Sequence, residues 1–290
     1  MPSRAAIASH NEEMTVLSLG EILWDIFPDG REELGGASFN LAFHASRLGH
    51  EATFISAVGD DRRGHRARQK ATKLGVDPLY IQTNPAVGTG VVTVSLDQAR
   101  QPSFVLQRPA AYDRVTLSDR QLESLAATDP AWICFGTLSF TTAANLATLR
   151  RLIETFPRAR RLYDVNLRVD NWSEALVREL LPLAHVVKLN ESEMAELAPI
   201  IAGTRALTCV TLAGRGCIID GVDVPGYRVK VADAVGAGDA FSAGLMHGLS
   251  QGWPVLEAAD FANRVGAIVA SRPGATPFWA LAEAAALTNR

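Results

Sequence analysis

The segment Asp233-Ala234-Val235-Gly236-Ala237-Gly238-Asp239-Ala240-Phe241 gathers residue types able to do chemistry. Gly236 and Gly238 let the backbone approach a phosphate closely, and Ala240, Ser242, Ala243 and Gly244 continue as a helix rich in small residues. A helix start offers unpaired N–H groups and the positive end of a dipole. Asp239 is the odd element. A carboxylate in a pure phosphate cradle repels its ligand, so here it makes sense as a base for a hydroxyl attacking that phosphate. The plainer option is a glycine turn with Asp239 as a helix N-cap.

Three further constellations extend the list. In Gly35-Gly36-Ala37-Ser38-Phe39-Asn40, paired glycines before a helix expose backbone donors, and Asn40 one turn in can hydrogen-bond a polyol. Asp25 upstream offers an acceptor for two vicinal hydroxyls; a tight turn followed by a helical Asn is the alternative. In Asn190-Glu191-Ser192-Glu193, Asn190 and Glu193 share one face of a first helical turn. They suit a hydrated Mg²⁺ on phosphates and suit a capping box equally. Asp164-Val165-Asn166-Leu167-Arg168 ends a strand, where Arg168 serves a substrate carboxylate or phosphate, or an ion pair with Asp164.

Other nucleotide motifs are excluded by inspection. None of the four lysines, Lys70, Lys73, Lys188 and Lys230, follows a glycine, so there is no Walker A loop. The first strand runs into Gly20-Glu21 rather than a G-x-G-x-x-G turn, and there is no H-E-x-x-H.

The elements that must carry these residues follow from pattern. Thr15–Leu19, Ala52–Val58, Trp132–Phe135, Arg161–Val165, His185–Leu189, Thr208–Leu212, Cys217–Ile219 and Arg228–Ala232 read as strands. Helices are expected from Gly36 to Gly49 and over Arg66–Leu74, Thr141–Phe156, Ser173–Leu181, Glu191–Leu197, Asp239–Gln251, Val255–Ser271 and Trp279–Leu287. Strands alternating with helices imply a parallel sheet covered on both faces. The β-rich pieces at about 22–34 and 88–110 stand outside that alternation and are expected to form a small lid.

A length of 290 residues bounds this at one large domain, 14–290, behind a flexible extension at 1–13 that lacks an apolar core and is no targeting signal. The formal net charge of −3 argues against a nucleic-acid partner, and the two arginine clusters, Arg62/Arg63/Arg66/Arg68 and Arg150/Arg151/Arg158/Arg160/Arg161, read as solvated faces. Hydrophobic residues at 48% against charged residues at 20% support a sizeable core. No run is long and apolar enough for a membrane span. Three cysteines argue against a disulfide framework or thiolate zinc site and for a cytoplasmic location.

Taken together, the segments resemble the PfkB family of carbohydrate kinases, from about Val16 to Pro277. Gly35–Asn40 with Leu48-Gly49 matches its first signature, Asp233–Gly244 its second, and Asn190–Glu193 its N-x-x-E. Gly20–Asp25 and Asp164–Arg168 look most like the fructokinase-type branch. The resemblance implies a three-layer α/β/α ribokinase-like fold with a central, mostly parallel sheet and a small β lid. It implies an ATP-dependent transfer to a sugar hydroxyl, fructose first, with 2-keto-3-deoxygluconate or another sugar or nucleoside as alternatives. A sugar-binding protein with little kinase activity is the alternative of another class.

The implied roles are specific. Asp239 is the base, and the amides of Gly236, Ala237 and Gly238 form the anion hole. Asp25, Gly36, Asn40, Arg108 and Arg168 surround the sugar. Asn190, Thr211, Gly216 and Asn263 border the nucleotide, Asn190 and Glu193 position Mg²⁺ indirectly, and Asp233 with the Val235 carbonyl suits K⁺. A homodimer through the lid edge is a further expectation. Three departures stand out: Ala234 where the family often has Thr, Ala213 in place of the first Gly of Thr211-Leu212-Ala213-Gly214-Arg215-Gly216, and a short 195–208 segment. The shortened segment, with a brief turn at Asp220–Asp223, lies on the nucleotide side.

Overall fold

The computed structural model describes residues 13–96 and 102–288. All of the expected N-terminal extension except residue 13, and part of the expected lid, lie outside them.

Nine strands form the main sheet among the described residues, in the order β13-β12-β11-β10-β9-β8-β1-β4-β5. They are β1 (Thr15–Leu19), β4 (Glu51–Gly59), β5 (Ile81–Asn84), β8 (Trp132–Gly136), β9 (Arg160–Asp164), β10 (Val186–Asn190), β11 (Leu207–Thr211), β12 (Gly216–Ile219) and β13 (Val222–Pro225). β5 through β11 pair in parallel, and β12 and β13 close the far edge antiparallel. A second sheet stands apart in the order β3-β2-β6-β7, built from β2 (Leu23–Ile26), β3 (Glu32–Gly35), β6 (Gly90–Leu96) and β7 (Pro102–Gln107).

Side-chain alternation along the central strands divides the core in two. Leu17, Leu19, Ile133, Phe135, Tyr163, Val187 and Leu189 face α3 (Asp119–Ala126), α4 (Ala143–Thr155), α5 (Glu174–Leu180) and α6 (Glu191–Ile201). Val16, Trp132, Cys134, Leu162, Val186 and Cys209 face α1 (Ala37–Arg47), α7 (Ala237–Ser250) and α8 (Val255–Ala270). Beyond them, α2 (Arg62–Lys73) covers Phe54 and Val58 of β4, and α9 (Leu281–Ala286) packs against α8. These are the three layers of the α/β/α ribokinase-like fold.

Some local expectations change. Arg228–Ala232 is not a strand: Val231 is 61% exposed, β13 already ends the sheet, and Ala232 N donates to Ala270 O rather than to a ladder. The second helix starts at Arg62, four residues earlier than its apolar spacing suggests, because Asp61 caps Gly64 N at 2.8 Å. The basic clusters are largely paired within the chain. Arg63 and Arg66 meet Glu32, Arg150 meets Glu179, and Arg151 meets Asp119. No helix among the described residues is long and apolar enough to cross a membrane.

Candidate active site

The parallel strands end, at their carboxyl side, beneath the first turns of α1 and α7. In α/β sheets this is where ligands are held. Gly36 opens α1 at φ 114°, and a Cβ there would lie 2.3 Å from Glu21 O, so the turn admits only glycine. With no side-chain cap of its own, α1 borrows one. Buried Glu21 accepts from Ala37 N at 2.8 Å through Oε1 and from the Ser139 hydroxyl at 2.9 Å through Oε2. Gly236 opens α7 at φ 78°, packed so closely against Ala275 that a Cβ would lie 2.4 Å from its carbonyl oxygen. The Ala237 amide turns onto Ala234 O at 3.3 Å, and helix geometry directs the neighbouring first-turn amides toward the cleft.

The two helix starts meet through side chains. Asn40 Nδ2 donates to Asp239 Oδ2 at 2.8 Å. Asn40 is 4% exposed, and its Oδ1 is buried without a partner. Burial, reinforced by the Asp164 charge, pushes the Asp239 pKa up to about 7; the Asn40 bond and the Lys188 and Arg168 cations oppose the shift. Asp25, on β2 of the second sheet, is raised to about 6 by burial, against the pull of Arg168. Arg168 therefore lies within electrostatic reach of both carboxylates. Its Nη1 donates to Asn166 Oδ1 at 2.7 Å and to Leu167 O at 3.1 Å.

Arg108 is engaged differently. Nε and Nη2 clamp the Asp113 carboxylate, Nη2 also meets Thr141 Oγ1 at 2.5 Å, and Nη1 donates to Leu138 O and Asn171 Oδ1 at 3.3 Å each. All five N–H donors of the guanidinium have an acceptor. It walls a groove of about 790 Å³ lined also by Thr142, Trp172 and Ser173, which holds none of Asp25, Asn40 or Asp239.

On the other side of α7, Asn190 and Glu193 form a complete capping box: Glu193 N donates to Asn190 Oδ1 at 2.9 Å, and Asn190 N to Glu193 Oε2 at 2.8 Å. Leu167 N occupies Glu193 Oε1 at 2.8 Å. Thr211 and Gly216 border the loop after β11. Ala213 keeps the left-handed conformation, φ 52°, that a glycine would adopt without strain. The Leu212 N–H closes that loop onto Gly216 O at 2.8 Å. Asn263 is turned to structure: its Nδ2 donates to Val224 O at 3.1 Å and Pro225 O at 3.3 Å, tying α8 to β13. Asp233 accepts from Val235 N at 3.0 Å and Gly274 N at 3.1 Å, joining the loop before α7 to the one after α8.

One group stands outside the sequence reading. Lys188, 6% exposed on β10, donates to both Asp164 oxygens at 3.1 and 3.2 Å, and the Ser242 hydroxyl of α7 donates to Asp164 Oδ2 at 2.8 Å. Burial works against its charge, but the Asp164, Asp239 and Glu193 carboxylates hold its pKa above the usual lysine value. The available signal was a lone cation in the apolar run Val186-Val187-Lys188-Leu189.

A parallel α/β/α sheet with glycine-opened helices converging on a half-buried carboxylate defines a class of phosphoryl-transfer enzyme. The pfkB family carbohydrate kinase profile matches residues 26–280. An uncharacterized sugar kinase from Pyrococcus horikoshii is 32% identical over 285 residues, 90% of this chain and 91% of its own. Its crystal structure in complex with ATP aligns with a TM-score of 0.81 at 31% identity, over 90% of this chain and 94% of that one. A fructokinase from Klebsiella pneumoniae is 30% identical over 262 residues, 80% of this chain and 83% of its own. The chain belongs to the pfkB family of carbohydrate kinases and is a sugar kinase.

Proposed function

We propose that the enzyme, acting in the cytoplasm, transfers the γ-phosphoryl group of ATP to a hydroxyl of fructose, with Asp239 as general base. The observation that carries this reading is the Asn40–Asp239 hydrogen bond of 2.8 Å, which joins a polyol-binding amide to a carboxylate at the start of α7. The unpartnered Asn40 Oδ1 is a ready acceptor for a sugar hydroxyl. Asp25 accepts from vicinal hydroxyls across the cleft, the Gly36 backbone lines its floor, and Arg168 donates from the side. Asp239, with a pKa of about 7, is matched to taking a hydroxyl proton near neutral pH. Charge growing on the transferred group meets the amides of Gly236 and Gly238 and the positive end of α7, while the Ala237 amide, expected as a third donor, is engaged by Ala234 O.

Thr211, Gly216 and Asn190 border the nucleotide, with Asn263 bracing the strand behind it. Hydrated Mg²⁺ supplies charge neutralisation on the phosphates. Each Glu193 oxygen already accepts an amide, so Asn190 and Glu193 suit water-mediated rather than direct ligation. Asp233 and the Val235 carbonyl mark the place for K⁺. The four-stranded sheet acts as a lid that carries Asp25 over the sugar and excludes water. Its edge strands, β3 and β7, are open to pairing in a homodimer.

Arg108 supports a neutral acceptor. A guanidinium with all five donors engaged has none left for a substrate carboxylate, and Arg168 already faces the Asp25 charge. The test is an ATP-consumption panel with fructose, glucose, ribose, a nucleoside and 2-keto-3-deoxygluconate, run with and without K⁺. Fructose should give the highest kcat/KM. A tenfold preference for the acidic sugar would overturn the reading, and sugar binding with no ATP turnover would make the protein a binding module.

A further inference from the structure

We propose that Lys188 is a positioning residue for the phosphoryl transfer, a fixed positive charge locked beneath the first turn of α7 by Asp164 and Ser242. The inference rests on the kinase reading above and deepens it.

The geometry is closed on every side. Lys188 and Asp164 are direct register partners on β10 and β9, and both project to the face covered by α7. The ammonium spans both oxygens of one carboxylate, and Ser242, one turn after Asp239, fixes the second oxygen. The ammonium nitrogen then abuts the helix backbone itself: a Cβ on Gly238 would lie 3.1 Å from it. Gly238 is thus glycine on its inner side as well, where any side chain would press on the cation.

Stability gives no reason for such a group. Replacing a buried ion pair by apolar residues of similar size is often neutral or stabilising, because desolvation offsets the attraction. A lysine in the middle of an apolar strand is therefore explained better by what lies above it. The first-turn amides are the donors that face the negative charge developing on the transferred group, and a preorganised cation in a dry site acts on that charge without reorganising. Asp164 keeps the cation protonated and immobile at rest, and neither group reaches the substrate.

The test uses the full chain with the best acceptor from the panel. Lys188→Met should lower kcat about ten- to hundredfold, with KM for acceptor and for MgATP within about threefold of wild type. Binding of ADP with aluminium fluoride and the acceptor, a planar anionic mimic, should weaken by the same factor, while ADP alone binds as before. An unchanged kcat, or an equal loss of affinity for ADP alone, would overturn the proposal and leave Lys188 a packing residue. Should Lys188→Met fail to fold, the charge-balanced double variant Lys188→Met with Asp164→Asn decides. Wild-type turnover in it overturns the proposal, and a tenfold fall with ADP affinity kept supports it. Asp239→Asn run in parallel separates the two ideas. If it loses turnover and Lys188→Met does not, this inference falls and the base stands. If Lys188→Met alone loses turnover, the base assignment falls and this inference stands.

Discussion

Replacing Asp239 by Asn tests the chemistry with the least disturbance of the site. Asn40 Nδ2 donates to Asp239 Oδ2, and the Asn side-chain carbonyl can accept the same bond, so the two helix starts stay joined. What is lost is a proton acceptor and a charge. A positioned general base contributes about 10²–10⁴ in rate, so kcat should fall by two to four decades while sugar affinity, read by calorimetry, stays within about threefold. The pH dependence sharpens the test. With the Asp239 pKa at about 7, the base is half ionised at pH 7 and roughly a tenth ionised at pH 6. Wild-type kcat/KM for the sugar should therefore fall about tenfold per unit below pH 7, and the Asn variant should show a flat residue. A coupled ADP-release assay reads both. Near-wild-type turnover in the variant, or an acid limb near the ordinary carboxylate pKa, would refute the assignment.

The same pKa shift predicts a stability crossover. The folded carboxyl holds its proton up to about 7 while the unfolded one releases it near 3.8, so the cost of burying the charge is small at pH 4, grows between about pH 4 and 7, and levels off above. Asp239→Asn should melt about 3–6 °C above wild type at pH 8, with the gap closing toward pH 4, by calorimetry at both values; a gap that does not change with pH would count against the buried charge. Glu21→Ala strands the Ala37 amide and the Ser139 hydroxyl, costing about 1–3 kcal/mol. It should raise the sugar KM at least tenfold and leave the MgATP KM within twofold, since the nucleotide side is not attached to it. Equal effects on both constants would show that Glu21 serves the fold as a whole.

The sequence carried the site furthest where backbone geometry restricts residue choice. Gly36 and Gly236 sit at positive φ with a carbonyl where a side chain would go, so their positions announce helix starts that only glycine can open. The alternation of apolar residues likewise gave the parallel core. Edge elements were harder. β5 is short and mixed, with only Ile81 buried, and α3 offers just Leu122 and Leu125 to the core despite a complete capping box at Ser118 and Gln121. Arg228–Ala232 alternates like a strand, yet alternation cannot say whether a neighbouring strand is available. Pairings between distant segments were out of reach altogether. Asn190 and Glu193 fit both a capping box and a phosphate site by spacing, and only the folded chain reveals that the capping bonds are made. The engagement of Arg108 by Asp113, Asn171 and Thr141 depends on three loops that no local pattern brings together.

The contact between Asn40 and Asp239 spans 199 residues of chain. A ribosome that has already delivered the Asn40 turn must add nearly two hundred more residues before the partner carboxylate exists. At about 5–20 residues per second, that is on the order of 10–40 s. Through that interval the nascent polypeptide carries the proposed acceptor side of the site without the proposed base. A product ending anywhere before α7 would lack the carboxylate proposed as the base, so on that proposal the earlier segments cannot act alone.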